Sequence, residues 1–242
     1  MTELQVFFFH FAGGSHYSYG FLKDHLPAQH HYHFLELPGR GRRFDEELIT
    51  DKNKAVLDLL EQLQVIRNKD IPYVIFGHSM GALMGLWLTF KMKEMGDPPG
   101  YLIVSGTAGP GIEEERDEKI HLMDSATFKA KLESMGGIPE EILEEEELFS
   151  FFDPIIRADF EVVDPDNFTE GGIKIDCPIY ALMGDEEEHH DKIKNWQRYT
   201  KQQLNKKIFS GNHFFIHEHP EQVVEVLMTC SKEVTEAQPK TH

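Results

Sequence analysis

Positive charge is scarce in this chain: 24 Lys and Arg stand against 42 Asp and Glu, a formal net charge of −18. Nonspecific nucleic-acid binding and attachment to anionic membranes both draw on clustered cations, so this balance argues against either. Cysteine is nearly absent. Cys177 and Cys230 are too few for a disulfide framework, and neither sits in a Cys-x-x-Cys pattern, so both read as reduced, packed thiols. No apolar run approaches the ~20 residues a membrane helix needs, and no basic segment precedes the short run Val6 to Phe9. A cytoplasmic protein is expected. The 14 histidines include the dense groups His30, His31, His33 and His189, His190, but no helical His-x-x-x-His with a carboxylate, so no metal is expected.

What is present is a full-sized core, 40% hydrophobic over 242 residues, and one stretch that the chain is arranged around. In Tyr73-Val74-Ile75-Phe76-Gly77-His78-Ser79-Met80-Gly81 an apolar, strand-like run leads into Gly-x-Ser-x-Gly and then a helix-like segment with Leu83, Leu86, Trp87 and Phe90 at helical spacing. That is the context of a nucleophile elbow. The glycines let strand and helix pass closely, and Ser79 projects from a strained turn. A serine nucleophile also needs a base, a group that orients the base, and donors for the oxyanion.

The flanking chain supplies candidates for each. Leu4 to Phe9 reads as a first strand, followed by the small-residue loop Phe11-Ala12-Gly13-Gly14-Ser15 and a helix from about Tyr17 to Leu26. In serine hydrolases of the α/β-hydrolase type, one oxyanion donor is the amide after the nucleophile and the other lies in a loop after an early strand, here Met80 and Ala12. Further strands are expected at Tyr32 to Glu36, Tyr101 to Ser105, Pro178 to Met183 and Lys207 to Phe209, with helices at about Asn53 to Arg67, Lys192 to Tyr199 and Pro220 to Ser231. Strands alternating with helices imply a mainly parallel sheet covered on both faces.

From Gly111 to about Asp166 the pattern changes. Acidic runs (Glu113 to Glu115, Glu144 to Glu147) alternate with apolar residues such as Phe128, Leu132 and Met135, and Gly136-Gly137-Ile138-Pro139 interrupts them, as in an inserted helical lid. The expected division is a core of 1–110 and 167–232, a lid of 111–166 and a flexible tail of 233–242. Phe128, Phe149, Phe152 and Ile156 fit an acyl pocket or plain packing equally well.

Past the late strand stands Gly184-Asp185-Glu186-Glu187-Glu188, and Gly211-Asn212-His213-Phe214 follows the last one. The order Ser79, a carboxylate near 185 to 187, then His213 is the α/β-hydrolase order, with His213 as the base. Residue type favours Asp185 as the acid, but successive residues in an extended loop point opposite ways, so the acid stays open between neighbours.

With these loops placed, the chain resembles the type II thioesterases that accompany nonribosomal peptide and polyketide synthases, a family that includes the medium-chain thioesterase of fatty acid synthesis. The resemblance runs through Phe9-His10-Phe11-Ala12-Gly13-Gly14, Leu37-Pro38-Gly39-Arg40-Gly41, Phe76-Gly77-His78-Ser79-Met80-Gly81, Met135-Gly136-Gly137-Ile138-Pro139, Pro154 to Phe160, which contains Arg157-Ala158-Asp159-Phe160, and Gly211-Asn212-His213-Phe214. It implies an α/β-hydrolase fold and hydrolysis of acyl or aminoacyl thioesters on the phosphopantetheine arm of carrier domains, clearing stalled or misprimed synthases. No cofactor beyond the substrate's own phosphopantetheine is implied, and the protein is expected to act as a monomer. Two positions depart from the family pattern. His10 stands where proline or another residue is usual. The family's acid, typically Asp three residues after the strand-end glycine, falls on Glu187, which by that spacing takes precedence over Asp185.

Carrier domains often present an acidic helix, and Arg40, Arg42 and Arg43, joined by Lys91 and Lys93, are the expected docking patch in an otherwise acidic protein. The alternatives are a carboxylesterase or lipase acting on free esters, and a noncatalytic binding protein on a hydrolase scaffold.

Overall fold

The computed structural model describes residues 3–112, 119–138, 140–164, 172 and 174–236. Six strands, β1 (Gln5–Phe9), β2 (His31–Leu35), β3 (Tyr73–His78), β4 (Tyr101–Ser105), β5 (Ile179–Gly184) and β6 (Asn205–Phe209), form one sheet in the order β2-β1-β3-β4-β5-β6, parallel throughout. Every residue of β1, β3 and β4 is buried. Such continuous apolar runs are required where helices cover both faces of a sheet.

The period of two sorts side chains between two cores. Phe7, Phe9, Tyr73 and Ile75 face one side, with Leu59 and Leu63 of α1 (Lys52–Ile66) and Leu88 of α2 (Met80–Glu94). Val6, Phe8, Val74 and Phe76 face the other, against residues that include Val223 and Leu227 of the C-terminal helix. A third cluster, with Phe128, Leu132, Phe149 and Ile156, is internal to the segment expected as the lid, which holds α3 (Ser125–Met135), α4 (Glu140–Glu144) and α5 (Glu146–Val162). The run Glu113 to Glu115 and Pro139 lie outside the described residues.

Strand order reverses between β1 and β3, so the loops leaving their C-terminal ends diverge and open a crevice between them. Ala12 follows β1 and Ser79 follows β3.

Three expected elements differ. Tyr17 to Leu26 is a series of i→i+3 turns around a single 3-10 turn, Gly20–Leu22, rather than an α-helix. The fully buried ring of Tyr19 is held there by its hydroxyl, which donates to the Phe9 carbonyl at 2.8 Å. His190–Tyr199 is a 3-10 helix. After a short helix α6 (Phe215–Glu218), the last helix α7 (Pro220–Glu236) continues past residue 232, because Val234 still packs on the core, against Gly100. The expected tail is therefore helical over 233–236, and the rest of it lies outside the described residues.

Candidate active site

Ser79 sits between β3 and α2 with φ 53° and ψ −117°, one of two described non-glycine residues at positive φ. The strain is held by close packing on both sides. A Cβ at Gly77 would overlap the Gly81 carbonyl, and one at Gly81 would overlap that of Phe9. The Ser79 amide donates to the Ser105 carbonyl at 2.7 Å, which fixes the elbow to the end of β4.

The residue beside it, His78, is fully buried, with Nδ1 at 2.9 Å from Ser105 Oγ. Burial holds its pKa well below the ordinary 6.5, with His213 and His217 acting in the same direction and the His213 backbone against it. The ring is neutral, and it packs on His213 with centroids 4.9 Å apart. A neutral neighbour matters, because a second cation there would oppose charge forming on His213.

His213 Nδ1 lies 2.8 Å from Glu187 Oε2, and the other carboxylate oxygen, Oε1, accepts the Gly184 amide at 2.7 Å. Residues 184–187 make a turn, with the Glu187 amide donating back to the Gly184 carbonyl at 3.3 Å. The turn folds the fourth side chain back over the strand end. Glu187 is consequently buried, whereas Asp185, Glu186 and Glu188 are exposed. Asp185 does not reach His213 by any hydrogen bond among the described residues. Its Oδ1 instead accepts the Gly211 amide at 2.9 Å.

Phe11 to Gly14 form a tight turn closed by the Gly14 amide on the Phe11 carbonyl at 2.9 Å, with Gly13 at φ 74°, a conformation that favours glycine. Neither the Ala12 nor the Met80 amide donates to a backbone carbonyl among the described residues. Met80 opens α2, so its amide also carries the positive end of a 15-residue helix. His10, the departure from the family pattern, is a clip. Its Nδ1 donates to the Phe11 carbonyl at 2.8 Å and its Nε2 accepts the Leu37 amide at 3.2 Å, tying the loop after β1 to the loop after β2.

Of the three arginines expected to form the docking patch, two are engaged within the protein. Arg40 is buried, with Nη1 and Nη2 paired with the Asp159 carboxylate of α5, the second at 2.8 Å. That carboxylate also accepts the Gly13 amide at 2.7 Å. Arg43 is engaged by Asp58 at 2.6 Å and Glu46 at 2.6 Å. Lys91 pairs with Glu94 and Lys93 with Asp176, at the end of α2 away from Ser79. Arg42 alone of the three arginines projects to solvent without a carboxylate partner among the described residues.

Sequence reasoning missed Asp159 as the link between lid and core. A buried acid on the apolar Ile155, Ile156, Val162 face of α5 was the available signal.

The model of the thioesterase domain matches residues 4–233. The chain belongs to the thioesterase family. It is thus an enzyme of thioester hydrolysis. Among relatives of this thioesterase, a Brevibacillus parabrevis protein named linear gramicidin dehydrogenase LgrE is 30% identical, over 93% of this chain and 87% of its own length. The crystal structure of ClbQ from the colibactin NRPS/PKS pathway superposes with a TM-score of 0.87 at 26% identity, covering 98% of this chain and all of that one. The type II thioesterase BorB from the borrelidin biosynthetic cluster gives 0.81 at 27% identity, over 95% and 93%. Where a dehydrogenase's Gly-x-Gly-x-x-Gly would follow the first strand, this thioesterase reads His10-Phe11-Ala12-Gly13-Gly14-Ser15.

Proposed function

We propose that this thioesterase uses Ser79 as nucleophile, His213 as base and Glu187 as the acid that orients it. Its substrates are acyl or aminoacyl thioesters on the phosphopantetheine arm of carrier domains, and its role is editing in nonribosomal peptide, polyketide or fatty acid synthesis. The observation that carries the reading is the 2.8 Å contact between His213 and a buried Glu187 whose second oxygen is already bonded. With Nδ1 occupied, Nε2 is the ring nitrogen left to take the Ser79 proton.

Ser79 Oγ attacks the thioester carbonyl carbon as His213 removes its proton. The amides of Ala12 and Met80 hold the negative oxygen of the tetrahedral intermediate. Its collapse breaks the carbon–sulfur bond, and His213 returns the proton to the departing pantetheine thiol. A water, deprotonated by His213, then attacks the acyl-Ser79 ester, releasing the carboxylic acid and restoring the serine. The choice of carrier-bound substrate rests on the biosynthetic settings named for ClbQ and BorB.

Mass spectrometry of carrier domains loaded with different acyl groups tests this. The enzyme should strip them and Ser79→Ala should not, and a matched oxygen ester should turn over more slowly. Equal release by Ser79→Ala would overturn the serine mechanism, and a preference for the oxygen ester would favour a carboxylesterase.

A further inference from the structure

The carboxylate that lost the competition for the acid's place has a use of its own. Beyond the last rung of the β5–β6 ladder the two chains stay paired. The Asp185 amide donates to the Phe209 carbonyl at 2.8 Å and the Glu186 amide to the Gly211 carbonyl at 3.1 Å. Between these, Asp185 Oδ1 accepts the Gly211 amide at 2.9 Å. Gly211 has φ 117°, a conformation open to glycine and rarely to other residues, and this turns its amide toward β5. Gly184 permits the approach, since a Cβ there would overlap the Gly211 carbonyl.

At the next residue, Asn212 Oδ1 accepts the Phe214 amide at 2.8 Å and the Asn212 carbonyl accepts that of Phe215 at 3.0 Å, so the loop from 211 to 215 is hydrogen-bonded to Asp185 at one end and runs into α6 at the other. His213 lies in the middle of that loop. Its ring is steered by Glu187, but its Cα is steered by the loop.

We infer that Asp185 is a positioning residue for the catalytic base, acting as a hydrogen-bond acceptor that sets the His213 loop, while Glu187 holds the imidazole. The division explains why two carboxylates in one turn face different partners: the first, exposed and just past the end of β5, bonds backbone, and the third, folded back and buried, bonds the ring. The inference rests on the proposed role of His213.

What the position needs is an acceptor oxygen, not a charge, and this separates it from the acid. Asp185→Ala should lower kcat about tenfold with KM little changed, the scale expected from loss of one hydrogen bond. Asp185→Asn keeps an acceptor and should recover most of that rate. In parallel, amide exchange measured by NMR at Gly211 should quicken in Asp185→Ala and stay near wild type in Asp185→Asn. Both variants alter an exposed side chain, and rates are compared below the melting onset of each. Asp185→Asn as impaired as Asp185→Ala would overturn the inference, because charge would then be the requirement, and so would an Asp185→Ala enzyme with unchanged kcat and unchanged Gly211 exchange. Full activity in Ser79→Ala would remove the catalytic reading instead, and the exchange at Gly211 would still report the tether.

Discussion

At the scale of single residues, the chemistry depends on proton inventories. Replacing Glu187 with Gln removes the charge that stabilises a protonated His213 and presents an amide where an acceptor is needed. kcat should fall by about 10³ to 10⁴, the scale seen when the acid of a serine triad is made an amide, with KM little affected. Steady-state kinetics on a soluble pantetheine thioester would check this, and a loss below tenfold would count against Glu187. His10 makes a prediction about pH. Burial, aided by Arg40, lowers its pKa from 6.5 to about 4, and the neutral ring is what accepts the Leu37 amide. The unfolded chain binds the proton first as pH falls, so this contribution is complete above about pH 6.5 and is lost progressively down to about 4. Glu36 acts in the same direction. Burial raises its pKa, but bonds from His16 and the Arg42 amide outweigh this and leave it lowered. Denaturant melts across that window should show declining stability, with a shallower slope in His10→Gln.

At the scale of elements, two of the contacts that join the lid to the core end on the loops that carry Ala12 and His213. Asp159 of α5 holds Arg40 and the amide next to Ala12. The lid glycine Gly137, at φ 81°, lies against the Phe214 ring so closely that a Cβ would overlap it. Asp159→Ala would leave a buried guanidinium unpaired, and should cost about 3–5 kcal/mol of stability in urea unfolding. Gly137→Ala combines backbone strain with displacement of Phe214, beside His213, and should cost about 1–3 kcal/mol and lower kcat as well. An Asp159→Ala protein as stable as wild type would mean that the pair does not secure the lid.

At the scale of the whole molecule, net charge is the governing quantity. Two of the three loop arginines are committed to internal pairs, so a chain of net charge −18 offers little local attraction to an acidic carrier domain. Screening should therefore assist encounter: kcat/KM on a negatively charged carrier substrate should rise from low to physiological salt, while a small neutral thioester stays flat. A steep fall with salt would instead reveal a basic contact surface. Among the described residues, no helix is long and apolar enough to cross a membrane.

The strands, the elbow, the loop after β1 and the His213 loop were legible in the sequence because each is a local requirement. A residue at positive φ between flanking glycines, or a small-residue turn at a strand end, is written in adjacent positions. What only the tertiary structure decided is where side chains end. Glu187 rather than Asp185 meets His213 because residues 184–187 turn back on Gly184, whereas residue type had favoured Asp185 and only the family spacing favoured Glu187. Arg40 reads as surface charge in a Pro-Gly loop, yet it is buried by an aspartate 119 residues away in the lid. Tyr17 to Leu26 has helical composition, but a buried tyrosine anchored to β1 holds it as turns. The partner that decides Arg40 lies far along the chain, where no local pattern can register it, and the other two are decided by hydrogen bonds that residue composition does not show.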